Sequence, residues 1–177
     1  MGRFRALWGE TPASVRGVER VVVRRATVSD VPQLAELRRA FTYEDPPDRA
    51  VGRDDFDEAF RRIVSDGIGA GRWVACVAEV GGEIASHAFV GVIDKIPRPV
   101  AGFSAIGYLT NVYTRLEFRG QGLGSRVLDP VTAWARDSGI ELLVVWPSEA
   151  SVAHYERHGF ADRGGEPRVW RHPDHAD

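Results

Sequence analysis

The chain has 177 residues and a mass of 19.5 kDa, with 23 basic and 25 acidic side chains for a formal charge of −2, and 44% hydrophobic residues. That length suits one domain with a sizeable core. No stretch approaches the roughly 20 apolar residues of a membrane helix, and the balanced charge excludes the general basic excess of a protein that coats nucleic acid, so any anion site must be local. Of the 23 basic residues, 22 are arginine and one is Lys95; codon bias is the simplest source, and it leaves Lys95 and the N-terminus as the amines of the chain. The single cysteine, Cys76, lies in the apolar run Trp73 to Ala78. It has no intramolecular disulfide partner, fits a reducing cytoplasm and reads as a small core residue. Residues 1–20 carry four arginines among Gly, Pro and Ser without the apolar stretch of about 7–15 residues of a secretory signal, and are expected to be a loose extension.

Val21 to Arg25 is a β-branched run that predicts a first strand. A helix follows, with Ser29 or Asp30 as N-cap, Pro32 in the first turn and Leu34, Leu37, Arg38 and Phe41 at helical spacing, ended by Asp45-Pro46-Pro47-Asp48. A second helix is expected over 54–65, from the recurrence of Phe56, Phe60, Ile63 and Val64. Trp73 to Val80 and Glu83 to Ile93 read as strands joined by Gly81-Gly82, a pair suited to a type I′ hairpin. Ala105 to Thr114 predicts a further strand with Ile106, Tyr108, Thr110 and Val112 on one side.

A helix opens at the densest glycine cluster, with Leu123, Val127, Val131, Trp134 and Ala135 along one face and a kink or early break expected at Pro130. Gly139 stops it. Glu141 to Trp146 resembles a strand buried on both faces. Ser148 begins a last helix through about His158, closed by Gly159, and Phe160 to Arg163 with Arg168 to Arg171 form a candidate closing pair of strands. The expected fold class is α/β in the α+β sense, a single domain with a mixed, mostly antiparallel sheet flanked by helices around a central β-α-β unit.

The segment Arg119-Gly120-Gln121-Gly122-Leu123-Gly124-Ser125 joins a strand to a helix. Backbone N–H groups and the positive end of a helix dipole meet there, which makes an anion site. Two nucleotide readings fail on spacing. A Walker loop needs Gly-Lys-Ser/Thr and no lysine is present, while a dinucleotide fingerprint begun at Gly120 needs glycine where Ser125 stands.

Arg119-x-x-Gly122-x-Gly124 resembles the Arg/Gln-x-x-Gly-x-Gly/Ala signature of the GCN5-related N-acetyltransferases, in the same strand-to-helix context. Ser148 to Phe160, a helix with Tyr155 followed by Gly159-Phe160, is similar to that family's second block. The resemblance covers about residues 21–171 as one acetyltransferase domain, leaving 172–177 as a polar tail. It implies acetyl-CoA as cosubstrate, with its pyrophosphate on the backbone amides of Arg119, Gly120, Gln121, Gly122, Leu123, Gly124 and Ser125 and charge-assisted bonds from Arg119 and Arg126. It also implies that free main-chain groups of Val112, Tyr113 and Thr114 pair with the pantetheine arm and polarise the thioester carbonyl. Tyr155 matches the frequent general acid that protonates the leaving thiolate; the alternative is a tyrosine that only packs. Leu116 stands where many members have proline. Ser148 stands where many have a cofactor-contacting asparagine, so Ser148 is either a cofactor contact or a helix cap.

The implied reaction is acetyl transfer to a primary amine of a small molecule, or of a peptide or protein, with a noncatalytic acyl-CoA sensor as the alternative. The acceptor amine must lose a proton. Candidates near the acceptor are Tyr108, Asn111, His87, Glu44 and Asp45, and spacing selects none of them. Seven acidic residues between Glu44 and Glu58, against Arg49 and Arg53, form a negative stretch that can attract a cationic amine or simply be a solvated face. His154 and His158 share a helical face without an accompanying carboxylate or cysteine cluster, so no metal is expected. Nucleic acid and membrane are not expected as partners, and a homodimer is left open.

Overall fold

The computed structural model of the protein describes residues 20–44, 55–99 and 101–162. The chain divides into two compact units, one before and one after the Trp146–Pro147 boundary.

The first unit is built on a five-stranded sheet of β1 (Val21–Arg25), β2 (Trp73–Val80), β3 (Glu83–Asp94), β4 (Ala105–Thr114) and β5 (Ile140–Val144), in that spatial order. The first three pairings are antiparallel and β4 pairs with β5 in parallel. Helix α3 (Leu123–Asp137) makes the crossover that a parallel pair requires. The β2–β3 hairpin turns through Gly81 at φ 59° and Gly82 at φ 89°, the two positive values that a type I′ turn demands. The mixed, mostly antiparallel sheet with its β4-α3-β5 unit is the architecture expected from sequence.

Helices α1 (Val31–Glu44) and α2 (Phe56–Gly69) cover one face. Val31, Leu34, Leu37 and Val64 pack there with Ala75, Val77, Ile84, Phe89 and Tyr113. Alternation along the strands turns Val74, Cys76, Ala88 and Val90 the other way, toward α3, whose buried stripe is Leu123, Val127, Leu128, Val131, Trp134 and Ala135. Burial pushes the Cys76 thiol up to about 12, which makes it a core residue with little nucleophilic character.

Several expectations change in detail. The first helix is not capped by Ser29 or Asp30. Val28–Asp30 form a 3-10 turn, and the Asp30 carboxylate reaches back to accept the Thr27 N–H at 2.7 Å. The same carboxylate takes two bonds of 2.8 Å from Arg24, which also reaches Glu79. Those hydrogen bonds from Arg24 outweigh burial and hold Asp30 below the usual carboxylate range. In α2, which continues to Gly69, Ile63 is 51% exposed while Ala59 and Val64 are buried. Helix α3 passes through Pro130 without a break, although Pro130 has no N–H to donate to the Arg126 carbonyl. Strand β5 is not buried on both faces: Ile140 is buried but Leu142 is 46% exposed, and the strand ends at Val144.

The largest departure is in β4. Its pairing with β3 shifts register between Phe89↔Thr110 and His87↔Tyr113, so two residues, Asn111 and Val112, oppose one. Asn111 absorbs the bulge at φ 49°, a left-handed conformation that asparagine tolerates better than most residues. The expected even-numbered face therefore stops at Thr110. Tyr113, not Val112, joins the core under α1.

In the second unit a 3-10 turn, Glu149–Ser151, leads into a short helix α4 (Val152–Glu156). The chain leaves it through Gly159 at φ 84°. Phe160, Ala161 and Asp162 have no regular structure, and the proposed strand 168–171, like the extension 1–19 and the tail, lies outside the described residues.

Candidate active site

The glycine cluster acquires its shape from two left-handed residues. After β4 ends at Thr114, a 3-10 turn over Leu116–Phe118 closes with the Arg119 N–H on the Leu116 carbonyl at 3.2 Å. Gly120 at φ 75° and Gly122 at φ 74° then reverse the chain into α3. A side chain at either position would be strained by the backbone, yet nothing lies within 4 Å of where its Cβ would be. The two α-carbons thus face open space, and an anion can reach the main chain there.

The first intrahelical bond joins the Arg126 N–H to the Gly122 carbonyl at 3.1 Å. The N–H groups of Leu123, Gly124 and Ser125 fall in the helix's first turn, where no intrahelical carbonyl is available. The buried Leu123 side chain fixes that turn against the sheet. Converging amides, a helix dipole and glycines without Cβ fit a diphosphate.

The neighbouring strand supplies a second element. β4 pairs with β5 through Ala105, Gly107 and Tyr108 opposite Ile140, Leu143 and Val144. Beyond Tyr108 it continues to Thr114 without a partner on that side among the described residues. Val112, Tyr113 and Thr114 lie on this length, next to the cradle. Two of their carbonyls already accept protein hydrogen bonds, Tyr113 from the Ser86 hydroxyl and Thr114 from Arg119 Nε, both at 2.9 Å.

Arg119 differs from the sequence expectation in its side chain. Its guanidinium bonds the Glu44 carboxylate at the end of α1 and lies 5.5 Å from the centroid of the Tyr113 ring. The other Glu44 oxygen accepts the Tyr113 hydroxyl at 2.6 Å. Burial opposes charge on Glu44, but the bonds from Tyr113 and Arg119 outweigh it and hold the carboxyl below its usual range. Burial, then the Glu44 contact, pushes the Tyr113 phenol up to about 12. Glu44 is thus an ionised strut between α1, β4 and the cradle, and a weak base. Sequence reasoning missed this pairing because 75 residues separate its ends.

His87 is wholly buried between the rings of Phe89 and Tyr113, and neither ring nitrogen has a hydrogen-bond partner among the described residues. Burial, with a smaller effect from Arg38, drives its pKa down to about 3. It is sealed from solvent rather than facing an acceptor. Asp45 lies outside the described residues. Asn111 forms the bulge, and Tyr108 stands at the end of the β4–β5 pairing, its ring edge-on to Trp146 with centroids 5.1 Å apart. Sequence named Trp146 only as the end of the Glu141 to Trp146 run; in the structure it lies two residues beyond the end of β5 at Val144.

In the second unit, the Ser148 hydroxyl donates to Ser151 Oγ at 3.1 Å instead of capping a backbone N–H. Tyr155 is buried, with its ring edge-on to Phe160 at 5.6 Å. Burial raises its phenol pKa, so it carries its proton at neutral pH. The His154 and His158 rings lie tilted to each other with centroids 4.8 Å apart, and His158 Nδ1 meets the His154 carbonyl at 2.8 Å. No group of three metal-ligating side chains occurs among the described residues.

Residues 31–160 match the model of the acetyltransferase (GNAT) family, and the chain belongs to that family. A relative, the aminoglycoside N(6')-acetyltransferase type 1 of Stenotrophomonas maltophilia, is 29% identical over 136 residues, 77% of this chain and 79% of the relative. Among solved structures, a predicted acetyltransferase of Clostridium acetobutylicum with acetyl-CoA aligns with a TM-score of 0.68 at 23% identity, covering 84% of this chain and 95% of the other. Glucosamine-6-phosphate N-acetyltransferase of Arabidopsis thaliana aligns with a TM-score of 0.66 at 23% identity, over 87% and 99% of the two chains. These structural likenesses speak to the fold. Family membership makes the protein an acetyl-CoA-dependent N-acetyltransferase, with acetyl-CoA as its cosubstrate.

Proposed function

We propose that the protein transfers the acetyl group of acetyl-CoA to the primary amine of a small molecule by direct attack on the thioester. The observation that carries this reading is the adjacency of the glycine cradle to a length of β4 without a β5 partner. Acetyl-CoA supplies an activated acyl group and a thiol leaving group. The amides from Arg119 to Ser125 receive its diphosphate. The main chain of Val112, Tyr113 and Thr114 lines the pantetheine arm and polarises the carbonyl, stabilising charge as it develops there. Arg119 contributes its backbone to the cradle, while its side chain holds Glu44. As the N–C bond forms and the C–S bond breaks, Tyr155 delivers its proton to the departing thiolate, and the proton lost by the amine passes through water to restore the Tyr155 phenol; Ser148 shapes the turn before that helix. A small-molecule acceptor agrees with the aminoglycoside acetyltransferase relative. A reducing cytoplasm suits the single, unreactive Cys76.

Thiol release measured over a panel of amines, with wild type and Tyr155→Phe, tests the proposal. Amine-dependent release is expected, with kcat falling about 10²- to 10⁴-fold in the variant and CoA affinity unchanged. Tight CoA binding without amine-stimulated release would replace the enzyme by an acyl-CoA sensor, and an undiminished kcat in the variant would remove Tyr155 from the chemistry.

A further inference from the structure

A hollow of about 470 Å³ opens at the end of the first unit's sheet, lined by Ile93, Ile106, Gly107, Tyr108, Val144 and Trp146. Its volume falls in the range of small-molecule sites. It lies where β4 and β5 stop pairing, because Tyr108↔Val144 is their last paired position. Counting along β4, Thr114 at the cradle end and Tyr108 at the hollow are six residues apart, at most about 20 Å at about 3.3 Å per extended residue and less across the bulge. A cofactor entering at the cradle and running along the unpaired length therefore directs its acyl end toward the hollow. The walls are aliphatic and aromatic. Among the described residues, the Tyr108 hydroxyl and the Trp146 indole N–H are their only polar side-chain groups. Trp146 is 59% exposed and Ile93 52%, so the hollow opens to solvent and a second substrate can enter it independently of the first.

We propose that this hollow, where Trp146 and Tyr108 meet edge-on, binds the apolar body of the acceptor, and that the acceptors are arylalkylamines rather than polyhydroxylated amino sugars. The assignment rests on the acetyl-transfer reading above and specifies its substrate class. A polyol placed here would surrender water from more hydroxyls than Tyr108 and Trp146 can satisfy, which opposes binding. A flat apolar group would bury its own area and that of Trp146, and the ring faces attract the ammonium group before it loses its proton. The solvent-facing mouth favours an independently arriving acceptor over a longer acyl chain delivered from the cofactor side.

Thiol release with acetyl-CoA is compared for 2-phenylethylamine and glucosamine, using wild type, Trp146→Ala and Trp146→Phe. The expected result is a kcat/KM at least about tenfold higher for phenylethylamine. Trp146→Ala should raise its KM about 10- to 100-fold, Trp146→Phe should restore most of the loss, and CoA affinity should stay within about twofold, as one apolar anchor worth 10- to 100-fold implies. Equal use of glucosamine, or a KM indifferent to Trp146→Ala, overturns the proposal while acetyl transfer stands. A preference for hexanoyl-CoA over acetyl-CoA that vanishes in Trp146→Ala also overturns it, assigning the hollow to the acyl chain. Calorimetry of phenylethylamine with the CoA-bound protein separates the two readings: Trp146-dependent binding without any turnover retains the hollow and refutes acetyl transfer.

Discussion

Replacing Gly122 separates two demands that the cradle makes on one residue. Gly122 sits at φ 74°, immediately before the first residue of α3, with empty space where a Cβ would point. Gly122→Ala forces an L residue into the left-handed region, costing about 1–2 kcal/mol of stability. Gly122→Asn asks less of the fold, because asparagine adopts this conformation more readily. Both variants project a side chain into the space from which an anion approaches the amides of Leu123 and Gly124. Displacing one amide bond to a charged oxygen forfeits about 1.5–3 kcal/mol, which is about 10- to 100-fold in affinity. Chemical denaturation should therefore rank wild type above Asn above Ala. Calorimetric titration with CoA should show both variants weakened by about 10- to 100-fold, and Gly122→Glu should abolish binding by adding a carboxylate. The reasoning is refuted if Gly122→Asn binds CoA as tightly as wild type.

Two further outcomes test the fold around the site. His87 has a folded-state pKa of about 3, below the roughly 6.5 of an unfolded histidine. The unfolded chain therefore binds the proton first, and stability falls as pH drops between those values, by up to about 1.4 kcal/mol per pH unit. Denaturant titrations should show wild type losing about 2 kcal/mol more than His87→Leu between about pH 6 and pH 4.5; parallel losses would mean that His87 is protonated or solvated in the native state. In α2, a Cβ on Gly67 would stand 2.0 Å from Trp73 Cδ1, whereas one on Gly69 meets nothing. Gly67→Ala should destabilise by about 1–3 kcal/mol despite a better helix propensity, and Gly69→Ala should stabilise by up to about 0.5 kcal/mol. Matching thermal midpoints for the two variants would contradict the packing of Trp73.

The sequence was most informative where structure depends on neighbouring residues. The Gly81-Gly82 hairpin, the glycine turn before α3 and the apolar stripe of α3 are each set by backbone freedom or periodicity within a dozen residues, and all three stand as expected. Features that depend on pairing across the chain were not readable. The β4 bulge exists only as a mismatch between two strands, and nothing around Asn111 marks it beyond a residue tolerant of positive φ. Glu44 looked like part of an acidic, solvated stretch until its carboxylate met Arg119 and Tyr113. His87 could be named from sequence as a strand histidine, but its isolation depends on Phe89 and Tyr113 closing around it. Trp146 stood only as the end of an apolar run because its meaning comes from Tyr108 across the β4–β5 seam.

The bulge at Asn111 and Val112 also divides β4 into two segments with different obligations. On one side, Ile106 and Tyr108 belong to the hollow; on the other, Tyr113 and Thr114 anchor Glu44 and Arg119 beside the cradle. The extra residue interrupts the two-residue alternation between them, so Tyr113 reaches the α1 face three positions after Thr110 instead of two. Removing one residue at 111 or 112 would restore plain alternation, with Tyr113 two positions after Thr110 and still opposite His87, so Tyr113 should stay on the α1 face and keep its bond to Glu44.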